Sequence, residues 1–117
     1  MNFESLEVWK RACRLSADVY LNLKDLKDFG FKDQITRSSL SVPSNIAEGM
    51  VKPTAKNKIN YLHIANGSCA EMRTQAYVGM KIDYIPEDLG RHWVKETKEI
   101  SAMLTGLIKK LELNRKL

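Results

Sequence analysis

The stretch SVPSNIAEGM, Ser41–Met50, decides the fold. With the residues before it, it carries Ile35, Ser39, Val42, Ile46 and Gly49 at spacings of four, three, four and three. That recurrence is one face of an α-helix. Pro43 stands inside it, where a proline removes a backbone donor and crowds the carbonyl of Ser39, at a cost of roughly 3 kcal/mol in a helix interior. Two readings follow. In the structural one, Pro43 bends the helix, Asn45 and the nearby hydroxyls satisfy the freed carbonyls, and the small Ser38, Ser39, Ser41 and Ser44 admit neighbouring helices. In the other, Ser44, Asn45 and Glu48 face a ligand. The structural reading is preferred.

The same period continues on both sides. A first helix is expected from Leu6 to Leu23, capped by Ser5, with Leu6, Trp9, Ala12, Cys13, Ser16, Val19, Tyr20 and Leu23 inward. KDLKDFGF ends it, with Gly30 as the breaker. The second helix spans Lys32 to Gly49. VKPTAKN is the next joint, with Thr54 as the cap of a third helix over Ala55–Tyr84. Its stripe is Ile59, Leu62, Ala65, Cys69, Met72, Ala76 and Met80. IPEDLG makes the last joint, and its acids suit the positive end of a fourth helix running to Leu111. Leu89, Trp93, Ile100, Met103, Leu104, Leu107 and Leu111 face inward on that helix. No segment alternates with period two. The expectation is an all-α, antiparallel up-down four-helix bundle, a single domain over residues 1–117.

Composition narrows the function. The two cysteines, Cys13 and Cys69, are not at a CxxC spacing. The start MNFESLEVWK has acids where a signal peptide has a basic region and an apolar run. No apolar run approaches membrane-spanning length. A cytoplasmic protein with reduced thiols is expected. His63 and His92 belong to no metal-binding pattern, and there is neither a glycine-rich phosphate loop nor a nucleophile elbow. The expectation is a protein without enzymatic activity, cofactor or metal.

Four segments carry a resemblance: FESLEVWKRACRLSADVY, QITRSSLSVPSNIAEG, YLHIANGSCAEMRTQ and DYI, in that order. The chain resembles the bacterial four-helix bundle proteins encoded in intervening sequences of 23S ribosomal RNA genes, which are sometimes labelled ribosomal proteins. The resemblance covers nearly the whole chain. It implies a small helical protein without enzymatic activity that forms a homopentamer. A related branch is the accessory variability protein of diversity-generating retroelements, a basic pentamer that binds nucleic acid and a reverse transcriptase. In such a ring, a bend at Pro43 would also set the angle between subunits. Helix three adds modest support for assembly, since Ile64, Tyr77, Val78 and Ile82 lie off its main stripe.

The motif residues invite a register. Glu71 and Gln75 share a helix face. If helices two and three mirror each other about residue 53, Arg37 lies level with Cys69, and an Arg37–Glu71 ion pair is expected. Glu71 as a general base is the weaker alternative, because it lacks a matching nucleophile or histidine.

The net charge is +5. An up-down bundle brings together the start of helix one, the second joint, the start of helix three and the C-terminus. Those regions hold ten basic residues: Lys10, Arg11, Arg14, Lys52, Lys56, Lys58, Lys109, Lys110, Arg115 and Lys116. Their acids are four, Glu4, Glu7, Glu48 and Glu112, so this end carries +6 against −1 for the remainder. It is either a solvated surface or a phosphate-binding face. The leading expectation is a nucleic-acid-associated homo-oligomer that holds RNA or DNA backbone through this end. The alternative is a scaffold that recruits a partner enzyme and has little nucleic-acid affinity of its own.

Overall fold

The computed structural model describes residues 2–115. A short 3-10 turn, Phe3–Ser5, leads into four helices: α1 (Glu7–Leu23), α2 (Phe29–Met50), α3 (Ala55–Lys81) and α4 (Glu87–Arg115). There are no strands among the described residues.

The helix boundaries follow from local capping. Ser5 does not cap α1; its hydroxyl donates to the Asn2 carbonyl at 2.7 Å, and Leu6 occupies the cap position without a side-chain bond. Asp28 caps α2 by accepting from the Phe31 amide at 3.1 Å. Gly30 is therefore inside the first turn of α2 and breaks nothing. Amides there lack intrahelical partners, and a good cap outweighs the glycine. Thr54 caps α3 as expected, accepting from the Asn57 amide at 3.2 Å. Three residues before the expected end, α3 stops. Asp83 is left-handed, with φ 61°, and the Tyr84 and Ile85 amides turn back onto the Gly79 carbonyl at 2.9 and 3.1 Å.

Polar pairs join the helices in register. Ser16 meets Ser39 across α1 and α2 at 3.2 Å. Ser38 donates to Gln75 at 2.6 Å, and Ser41 meets Ser68 at 2.8 Å, between α2 and α3. Arg73 donates to Thr97 at 3.1 Å and Ser101 to Asn66 at 2.6 Å, between α3 and α4. The Trp93 indole donates to Asp18 at 2.8 Å, joining α4 to α1. As residue number rises on one helix it falls on the next, so consecutive helices run antiparallel.

The core contains Ile35, Val42 and Ile46 of α2, and Ile59, Leu62, Ala65, Cys69, Met72 and Ala76 of α3, all on the expected faces. Trp93, Ile100 and Leu104 of α4 are fully buried. On α1, Ala12, Ser16, Val19 and Leu23 are buried as expected, but Val8 and Leu15 are buried too, whereas Tyr20 is 44% exposed. Gly49 permits a close approach of α2 to α3. A Cβ there would lie 2.7 Å from the Tyr61 Cβ and 3.1 Å from the Lys58 carbonyl oxygen.

Pro43 is buried, and α2 continues through it. Asn45 does not serve the Ser39 carbonyl. Its amide donates to the carbonyl and hydroxyl of Ser41, at 2.8 and 2.9 Å. Among the described residues, no helix is long and apolar enough to cross a membrane.

Candidate nucleic-acid interface

The α2–α3 joint builds the basic end. Lys58 reaches back and donates to the Met50 carbonyl at 2.8 Å, satisfying the C-terminus of α2. Lys52 lies 3.9 Å from Glu48 and places its ammonium 5.0 Å from the centre of the Tyr61 ring. Both cations thus have work within the fold. Lys56 is exposed in the first turn of α3.

Helix α4 completes this end. The Asn66–Ser101 contact, carried along two antiparallel helices, sets Ile108 level with Ile59 and both fall in the core. Lys109 and Lys110 follow, exposed and near the α3 start. Among the described residues, Lys56, Lys109 and Lys110 have no ion-pair partner. Arg115 is exposed, and Lys116 lies outside the described residues.

The α1 cations belong elsewhere. Arg11 faces α4 near Glu96 and Glu99, so it lies roughly three turns or more short of Lys109, about 15–20 Å at 1.5 Å per residue. Its guanidinium is bonded to Glu96 at 2.7 Å and also to Glu99. This corrects its assignment to the basic end: Arg11 is a neutralised part of the α1–α4 seam. Its side chain is three-quarters buried. The two carboxylates hold its pKa well above the ordinary arginine value, while the Arg11 hydrogen bond holds Glu96 below the usual glutamate range. Arg14 lines a surface recess with His92 and Glu96 on the same seam. Lys10 lies 3.8 Å from Glu7, and both are solvated.

The motif residues divide similarly. Arg37 does not reach Glu71. It pairs with Asp33 at 3.0 Å on the outer face of α2, with its side chain 78% exposed. Glu71 is exposed on α3. Gln75 instead joins α3 to α2 through Ser38. Asn45 turns back on Ser41, Glu48 goes to Lys52, and Ser44 is exposed. Asn45 and Glu48 already have partners on their own helix or its end, which favours the structural reading of the proline motif.

The thiols are quiet. Burial pushes Cys69 up to about 11 and raises Cys13 as well, so both are protonated at neutral pH. Among the described residues, no group of three or more His, Cys, Asp or Glu is placed to hold a metal ion.

Sequence reasoning missed a second basic surface. Lys81 of α3 and Lys95 and Lys98 of α4 line one groove between those helices. They are far apart in the chain, and only the packing of α3 on α4 unites them. The one available signal was the one-turn spacing of Lys95 and Lys98.

No curated protein matches the chain. The fold is similar to the crystal structure of a protein of unknown function from the S23 ribosomal protein family of Bacteroides thetaiotaomicron VPI-5482. The TM-score is 0.83 at 24% identity, over 87% of this chain and 98% of that one. A family profile described as 23S rRNA-intervening sequence protein matches residues 4–106. Its span takes in all of α1, α2 and α3 and most of α4, and the chain belongs to the 23S rRNA-intervening sequence protein family.

Proposed function

We propose that this protein is a nucleic-acid-associated binding protein without enzymatic activity, acting in the cytoplasm as a homo-oligomer. The observation that carries the reading is the set of exposed cations at one end, Lys56, Lys109 and Lys110, that have no ion-pair partner among the described residues. Cations left without acids attract phosphates, whereas those tied to carboxylates do not offer their charge.

A homopentameric ring fits two separate apolar faces. One is a groove of about 500 Å³ between α1 and α2, where Tyr20, Leu21 and Leu40 surround Pro43. The other is the stripe of Ile64 and Val78 on α3 with Ile82 just past its end, each about half exposed. Two unlike faces on one chain suit a head-to-tail contact, which closes into a ring when the rotation allows. The ring repeats the basic end around one rim. The same apolar groove favours the second reading, a scaffold that recruits a partner enzyme.

Light scattering fixes the mass, and fluorescence anisotropy with structured RNA and duplex DNA then tests binding. Three phosphate contacts to duplex predict a loss of about 40-fold in affinity between about 50 and 200 mM salt. Reversing Lys56, Lys109 and Lys110 to glutamate abolishes that binding and leaves the mass unchanged. No binding at the lower salt contradicts the reading and turns attention to a protein partner.

A further inference from the structure

We infer that the groove between α3 and α4 is a nucleotide site, with an aromatic base on its floor and phosphate on its rim. The groove has a volume of about 600 Å³, within the range of about 300–1,000 Å³ usual for small-molecule sites. Tyr77, Met80 and Val94 supply apolar surface, and Lys81, Lys95 and Lys98 surround it.

Charge singles out the occupant. Two acids also line the groove, and each already has a cation. Glu87 accepts from Arg91 at 2.6 and 3.2 Å. Glu99 is bonded to Arg11 of α1. Lys81, Lys95 and Lys98 have no ion-pair partner among the described residues. Three unmatched ammonium groups beside an apolar floor fit a ligand that is anionic at one end and flat and apolar at the other. Tyr77 is 45% exposed, so its ring is accessible for stacking. A nucleotide has this combination.

The groove is distinct from the apolar stripe on the same helix. Tyr77 and Lys81 are one turn apart and border α4. Ile64 and Val78 are separated by fourteen residues, nearly four whole turns, and share another side of α3. A nucleotide in the groove leaves that stripe open to a neighbouring subunit.

Free nucleotides and unpaired nucleotides of RNA or DNA share this chemistry. The inference rests on the nucleic-acid reading only if the source is a nucleic acid. Calorimetry with adenosine monophosphate, a short oligoadenylate, inorganic polyphosphate and an acidic peptide separates the cases. The full chain is compared with Tyr77→Ala and with the triple variant Lys81→Gln/Lys95→Gln/Lys98→Gln, after circular dichroism has verified folding. Tyr77→Ala weakens oligoadenylate binding by about ten-fold or more, the effect of one lost stack, and leaves polyphosphate unaffected. The triple variant weakens both. Adenosine monophosphate binding with the same dependence identifies a free nucleotide as the source. Oligoadenylate binding alone identifies a strand. Reversal of Lys56, Lys109 and Lys110 leaves the groove intact, so failure of the bundle-end reading is seen separately. Oligoadenylate binding that ignores both groove variants overturns the inference, as does an acidic peptide that binds as tightly as oligoadenylate.

Discussion

The two sides of α4 differ in how they treat charge. On the side facing α1, Glu96 and Glu99 take up Arg11, and Asp18 takes the Trp93 indole. On the side facing α3, Lys95 and Lys98 stand near Lys81, and the acids close by already have cations of their own. One helix thus carries a matched seam and an unmatched groove. Matched charge fixes how helices meet, whereas unmatched charge is available to a ligand. A count of lysines and arginines along the chain cannot separate the two.

The largest effect expected is on the seam. Arg11→Glu removes the shared cation and sets a third carboxylate beside two others. It should cost about 3 kcal/mol, towards the lower end for a broken buried pair because the site is partly solvated. The midpoint of urea denaturation checks this. A loss under about 0.5 kcal/mol would place Arg11 with the solvated cations and erase the contrast.

The α2–α3 contact comes next. Gly49→Ala adds a Cβ against Tyr61 and the Lys58 carbonyl, and backbone cannot yield as a side-chain tip does. Overpacking of about 1–3 kcal/mol, partly offset by up to about 1 kcal/mol of helix propensity, leaves a net loss of about 1–2 kcal/mol. Thermal unfolding of the variant measures it. Gly67→Ala is the control, because a Cβ at that position meets nothing within 4 Å, and it should be neutral or stabilising.

The seam should also respond to acid. Glu96 is held below the ordinary glutamate range by Arg11. Its contribution is full above the unfolded-state pKa and is lost as pH falls through the lowered folded value. Denaturation midpoints taken from about pH 6 to about pH 3 should therefore fall, and by less in Arg11→Met. Equal slopes in both proteins would detach Glu96 from the acid response. The smallest stability effect belongs to the groove: Lys81→Gln/Lys95→Gln/Lys98→Gln should shift stability by no more than about 0.5 kcal/mol, as substitutions of exposed side chains do.

Much of the fold was legible because buried apolar residues on α2 and α3 repeat with helical period. Ile35, Val42 and Ile46, then Ile59, Leu62 and Met72, occupy the expected faces. On α1 the predicted face held for Trp9, Ala12, Ser16, Val19 and Leu23, but it took in Tyr20, which is 44% exposed, and left out Val8 and Leu15, which are buried. The Arg37–Glu71 pair failed for a simple reason: Arg37 follows buried Ile35 by two residues, about 200° around the helix, and so points outward. Placing helices about one joint residue also gave too coarse a register, since Ser38 meets Gln75 rather than a residue seven earlier. The basic end was partly visible in Lys56, Lys109 and Lys110. What hid the rest was pairing, because whether Arg11 is matched or Lys98 unmatched depends on which helix lies opposite.

The most direct test of the account is the dissociation constant for single-stranded RNA, measured at several salt concentrations between about 50 and 200 mM. The wild-type protein is compared with the Lys56/Lys109/Lys110 and Lys81/Lys95/Lys98 glutamine variants. Unmatched cations that contact phosphate predict a steep log–log dependence for the wild type, which becomes shallower by about 0.7 for each contact removed. Affinity that ignores salt, or a slope unchanged in both variants, would contradict the claim that these lysines form the binding surface.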